Sequence, residues 1–302
     1  MNPEKRHSAF SWPLFGVVLA WGYNFIAIKQ LYHAFEPSGL ALGRFLVMQL
    51  AVVVICKLRR MPLCYPDLKE SIRLLLLGFF SMGIYTVLFF EGMKLILPSQ
   101  SAILLATSPL WVLFIDVILK HEKFRFAALI GVALSIVGVG MVVGPAHAAG
   151  TNELLGSILI LVSAFCWAAT VVYSRHRTKE RDPLLVLTLS MPGGLLVLIP
   201  YGYQSLVSTH WTTLTAFDWA QFAHVSFLAG AYGFFAFFDG VKKVGASQAM
   251  LYQFGVPVMA SLFAAILLHT PPTAWQIAGM IVVLTGVAIA KKPRPVAETA
   301  VA

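Results

Sequence analysis

The chain states one segment twice. Residues Phe89 to Pro109 read FFEGMKLILPSQSAILLATSP, and a shift of 148 positions lays them, without a gap, on FFDGVKKVGASQAMLYQFGVP from Phe237 to Pro257. Phe89, Phe90, Gly92, Lys94, Ser99, Gln100 and Pro109 recur as Phe237, Phe238, Gly240, Lys242, Ser247, Gln248 and Pro257, with Asp239 in place of Glu91. Downstream, the same register pairs Gly131, Gly138 and Val139 with Gly279, Gly286 and Val287. The chain is therefore expected to be two copies of one half, 1–148 and 149–302, with the boundary near Gly144 to Asn152.

Each half must fold in lipid. Hydrophobic residues are 59% of 302 positions and charged residues 12%, about half the charged share of a soluble domain. Apolar runs long enough for a bilayer core of about 30 Å follow one another at 10–33, 37–57, 72–93, 98–119, 124–143, 154–175, 183–203, 218–240, 245–268 and 273–290. The expected fold is an all-α integral membrane protein of ten transmembrane helices. With the N-terminus inside, inner loops and tails hold 19 of the 22 Lys and Arg residues and outer loops only Lys94, while Lys29 and Arg44 lie within spans. Such an asymmetry places both termini in the cytoplasm. It also accounts for the net charge of +9 without any nucleic-acid partner. Lys5 and Arg6 before an apolar run resemble a secretory signal, but the run from Ala9 to Ala34 is too long for one and is read as a retained first helix. Cys56, Cys64 and Cys166 are odd in number and have no ligand-like spacing, so neither a disulfide framework nor a metal site is expected.

Five spans per half is an odd number, so the second copy enters the membrane from the opposite side. Inverted repeats of this kind are a signature of transporters, because two oppositely facing copies can exchange conformations around one central site. A duplicated scaffold without transport is the blander alternative.

With ten spans in two copies, and SQSAILLATSPLWVL and SQAMLYQFGVPVMASL as their fourth helices, the chain resembles the drug/metabolite transporter superfamily, EamA-type, along essentially its whole length. Within that branch it is most similar to exporters of aromatic and other neutral amino acids. The resemblance implies a central cavity lined by helices one, three, four, six, eight and nine, with five and ten as an outer scaffold. Members commonly carry Gly-Glu after the fourth helix of each half; Glu122 keeps the acid in the first half, whereas His269 and Thr270 stand at the second.

Several residues fit such a cavity. Gln100, Thr107 and Trp111 share a face of span four, and Gln248 and Tyr252 share the equivalent face of span nine; the glutamines either meet substrate or tie helices together. Trp21 and Asn24 in span one match Trp167 and Thr170 in span six. Tryptophan favours membrane interfaces, so two near mid-membrane suggest, with Tyr85 and Tyr232, a wall for stacking an aromatic ligand, or else dense helix packing. Pro109 and Pro257 remove a backbone donor in mid-span and should kink spans four and nine, as hinges or as static bends. Gly131, Ser135, Gly138, Gly279 and Gly286 make small-residue strips that pack the scaffold pair or support a dimer; the oligomeric state stays open.

Asp116, Glu91 and Asp239 all fall near span ends. A proton- or sodium-coupled pump needs an ionisable group at mid-membrane, so facilitated movement is expected. Arg44, about two turns inside span two, either snorkels, bonds another helix or attracts a carboxylate. The function expected is a bacterial inner-membrane exporter of small neutral or zwitterionic metabolites, above all aromatic and other neutral amino acids, through an uncharged central cavity and without a cofactor. A carrier of lipophilic cations is the alternative within transport. A membrane enzyme would need clustered carboxylates, metal ligands or a nucleophile with its base, and the sequence offers none.

Overall fold

The computed structural model describes residues 11–64, 67–119, 126–143, 151–244, 249–250 and 252–290. Among them every regular element is helical: α1 (Trp12–Leu31), α2 (Pro37–Leu58), α3 (Leu68–Leu95), α4 (Pro98–Ile118), α5 (Phe126–Val143), α6 (Thr151–Glu180), α7 (Pro183–Ser208), α8 (Ala216–Val244), α9 (Gly255–Leu267) and α10 (Ala274–Ala290). Gln248, Glu122, Lys5, Arg6 and the half boundary at 144–150 lie outside the described residues.

Helix starts follow local chemistry. Pro37, Pro98 and Pro183 open α2, α4 and α7, where the missing N–H would have had no intrahelical partner. Asp182 accepts from the Leu184 amide at 2.8 Å, and Thr215 and Asp218 form a reciprocal capping box at the start of α8.

Seven helices (α1, α2, α3, α4, α6, α7 and α8) are long and apolar enough to cross a membrane, while the apolar stretches of α5, α9 and α10 are shorter among the described residues. Along α2, Leu46, Leu50, Val54 and Leu58 are exposed at successive four-residue steps, while Phe45, Met48, Val52 and Cys56 are buried on the other side. An exposed aliphatic stripe of this kind belongs against lipid tails rather than water.

Three departures from uniform helices position the interior. First, α4 is interrupted between Leu105 and Ser108, and α9 begins only at Gly255 after a turn at Gln253 and Phe254. In both, the interruption sits at the fourth residue before a proline, Leu105 before Pro109 and Gln253 before Pro257, where the ring meets the carbonyl and supplies no hydrogen. Second, α3 and α8 each contain a wide π turn, Phe79–Ile84 and His224–Tyr232; shifted by 148, the first falls inside the second. The sequence expectation of plain helices there misses a π turn because its insertion leaves an apolar pattern unchanged. Third, α3 and α7 cross at backbone distance: a Cβ at Gly78 would overlap the Ser190 carbonyl, and one at Gly193 the Leu75 carbonyl. Within α7, Pro192 leaves the Thr188 carbonyl without its helical donor, and Gln49 of α2 supplies one at 3.5 Å.

α5 and α10 pack along each other. Gly138 faces Gly279 and Val283, Gly286 lies against Gly131 and Ser135, and Ser135 Oγ donates to Gly131 O at 2.9 Å and to Val283 O at 3.3 Å. The strip of small residues allows this close approach.

Candidate functional site

A cavity lies where helices from both halves converge, with about 710 Å³ of empty space counting its open mouth. α1 contributes Trp21, Asn24 and Phe25; α2 contributes Arg44; α3 contributes Tyr85, Thr86, Phe89 and Phe90. Trp167 comes from α6, and Ala229 and Phe234 from α8. The two interrupted helices close the ring, through Leu105 and Ala106 before Pro109, and through Gln253, Val256 and Pro257. The breaks in the two helices thus lie beside the cavity, where a membrane tolerates irregular backbone.

The walls are aromatic and fixed by one another. Trp21 and Trp167 meet edge to face at 5.8 Å, and Phe234 packs edge-on against both, at 5.9 and 5.6 Å. Tyr85 leans on Trp167 at 5.8 Å and stacks on Phe89 at 5.7 Å. Trp21 Nε1 donates to Ala229 O at 2.9 Å, inside the π turn of α8, and Gly233 leaves room for that indole. The ring faces therefore have set directions, which suits recognition of a flat apolar group.

Against this apolar wall stand polar groups whose bonding is incomplete among the described residues. Asn24 is 7% exposed and its Oδ1 has no hydrogen-bond donor; Gln253 is 9% exposed and its Nε2 has no acceptor. Arg44, 8% exposed, lies over the Phe90 ring at 5.4 Å. Among the described residues no carboxylate ion-pairs with it. The phenols of Tyr85 and Tyr32 lie within its electrostatic reach. A guanidinium at the centre of a spanning helix costs about 2.5–3.5 kcal/mol by insertion scales. The expectation of an uncharged cavity is corrected here: Arg44 sits too far inside α2, and is too enclosed, to reach an interface.

The structure brings Trp21, Asn24, Tyr85, Trp167 and Pro257 to the cavity and places the other expected residues that it describes elsewhere. Gln100 Nε2 donates to Val142 O at 3.4 Å, tying α4 to α5. Thr107 and Thr170 bond their own helices, at Leu104 O (2.7 Å) and Cys166 O (2.9 Å). Trp111 packs edge-on against Phe165 at 5.6 Å. Tyr232 OH donates to Pro13 O at 3.0 Å, and Tyr252 OH accepts from the Ser11 amide at 2.8 Å, both at the start of α1. Pro109 is buried in the first turn of α4 after its interruption. Gln253 escaped the sequence reading; its signal was a polar residue at the same offset from Pro257 as Leu105 from Pro109.

Among the described residues no Asp, Glu, Lys or His lines the cavity. Glu91 accepts from Tyr201 OH, Asp239 pairs with Lys243 at 2.7 Å, and His224 bonds Ala20 O at 3.1 Å. Among the described residues no group of His, Cys, Asp and Glu could hold a metal ion. The arrangement can enclose and orient a small molecule; it places no nucleophile beside a base.

The family described as EamA-like transporters matches residues 12–144 and 154–291. An uncharacterized transporter, YyaM, of Bacillus subtilis is 25% identical over 91% of this chain and 90% of its own. A probable amino-acid metabolite efflux pump of Salmonella typhimurium is 25% identical over 90% of this chain and 91% of its own. A protein of known crystal structure, 16% identical, shares the fold with a TM-score of 0.66 over 92% of this chain and 94% of its own.

Proposed function

Given that the chain belongs to the EamA-like transporter family and is a multi-pass membrane protein, we propose that it exports small neutral or zwitterionic metabolites, aromatic and other neutral amino acids foremost, across a bacterial inner membrane. In this reading 1–148 and 149–302 are inverted five-helix units with both termini cytoplasmic. They open one site to either side in turn. Trp21, Asn24, Tyr85 and Trp167 form its wall, and Pro109 and Pro257 set the hinges.

One observation carries the proposal: the two proline-interrupted helices, one per half, meet at the same aromatic cavity. The probable amino-acid metabolite efflux pump of Salmonella typhimurium lends support to amino acids and their metabolites as the cargo. A lipophilic-cation carrier is the second reading, and Arg44 counts against it, because an unpaired cation in the wall repels another. Among the described residues no carboxylate or histidine lines the cavity, which favours a facilitator over a proton-coupled pump.

Counterflow in proteoliposomes tests the reading. Vesicles loaded with unlabelled L-phenylalanine should accumulate the radiolabelled amino acid chemically unchanged, with no pH or sodium gradient imposed. Strict dependence on either gradient contradicts the facilitator, and a chemically altered product contradicts transport.

A further inference from the structure

Among the described residues, Arg44 is the one lining residue that carries a charge. It is more than nine-tenths buried, stacked on Phe90, and without an ion-paired carboxylate among the described residues. Two further buried polar atoms at the same cavity lack partners, the Asn24 acceptor and the Gln253 donor. Buried polar groups are normally satisfied, and a buried charge normally has a counter-charge. Three such omissions around one space point to a ligand that completes them.

The ligand's chemistry follows from the imbalance. Guanidinium offers a planar fork of donors that matches a carboxylate with two parallel bonds. Gln253 adds a neutral donor, and Asn24 a single neutral acceptor that suits an ammonium or a hydroxyl alike. Among the described residues no acidic side chain lines the cavity to pair an amine. Charge recognition is therefore one-sided.

Resting on the transport reading above, we propose that Arg44 is the carboxylate anchor of the cavity, so that the site selects small monocarboxylates with an apolar or aromatic body, whether or not they carry an amino group. The substrate class then extends from amino acids to the corresponding acids without nitrogen and excludes the corresponding amines.

Three probes with one phenyl body decide it: 3-phenylpropionate, L-phenylalanine and phenethylamine, titrated calorimetrically into the full-length protein in detergent. The two acids should bind within about threefold of each other and phenethylamine at least ~30-fold more weakly, the scale of a charge-assisted pair. Arg44→Gln should erase that preference, and Arg44→Lys should keep its order at lower affinity, since a point charge lacks the fork. Equal binding of phenethylamine and 3-phenylpropionate, no binding of 3-phenylpropionate, or an unchanged preference in Arg44→Gln overturns the proposal. Should Arg44→Gln fail to fold, L-phenylalanine methyl ester decides the matter on the unaltered protein: it should lose the same ~30-fold, and binding equal to that of L-phenylalanine overturns the anchor. Counterflow run in parallel separates the two ideas. Exchange indifferent to the carboxylate sinks the anchor alone; carboxylate-selective binding without exchange sinks the transport reading alone.

Discussion

The interruptions in α4 and α9 are the same event with different consequences. In each, a proline removes the bond to the fourth residue before it, and the helix opens toward the cavity. That residue is Leu105 in the first half and Gln253 in the second, so the backbone is repeated while its polarity is not. The same holds around the ring. Arg44 lies on α2, whereas α7 carries no charged residue anywhere in Pro183–Ser208. Tyr85 is answered by Gly233, which makes room for Trp21. In the proposed cycle, a repeated backbone would let the halves interconvert, and unequal side chains would give the cargo one preferred orientation.

Substitutions can break this comparison, and the largest effect is expected in the aromatic wall that both halves share. Trp167→Ala removes the ring that touches Trp21, Tyr85 and Phe234, and counterflow should fall more than ~10-fold while the protein stays monodisperse on gel filtration. Normal counterflow would take Trp167 out of the site. Next comes the polar side of the asymmetry: Gln253→Leu makes the second interruption copy the first, and calorimetric affinity for L-phenylalanine should drop by about tenfold. An unaltered affinity would mean that Gln253 serves the fold only.

Smaller effects sharpen the repeated part. Pro109→Ala and Pro257→Ala each restore a backbone donor. Both should slow counterflow a few-fold, roughly equally, with affinity retained; a loss confined to one would show that only one interruption moves. Smallest is His269→Gly. His269 holds a left-handed φ of 52° just after α9, a conformation that costs a side chain about 1–2 kcal/mol. Glycine there should raise the thermal midpoint modestly with counterflow unchanged, and a lowered midpoint would contradict the strain.

The helices and both proline positions were legible because apolar runs, turn residues and a gapless repeat survive in one dimension. The inward faces were less so. Helices that are apolar all round give periodicity little to distinguish lipid from core, so Leu50 and Met48 look alike in sequence while one is exposed and the other buried. Trp21 and Trp167 stood out because tryptophan is rare at that depth. Gln100 drew attention for its polarity, yet its acceptor, Val142 O, lies on another helix. The placement of Arg44 depends on how far its neighbours enclose it, and hydropathy holds no trace of that.

Access from the two membrane faces tests the central claim most directly. Ala106 is buried at the α4 interruption and lines the cavity. With Cys56, Cys64 and Cys166 replaced by alanine, Ala106→Cys is exposed to a membrane-impermeant thiol reagent in right-side-out and in inverted vesicles. Labelling in both orientations, slowed in both by L-phenylalanine, is the predicted result. Labelling from one face alone, or labelling that L-phenylalanine leaves untouched, would contradict a single site opened alternately by two inverted units.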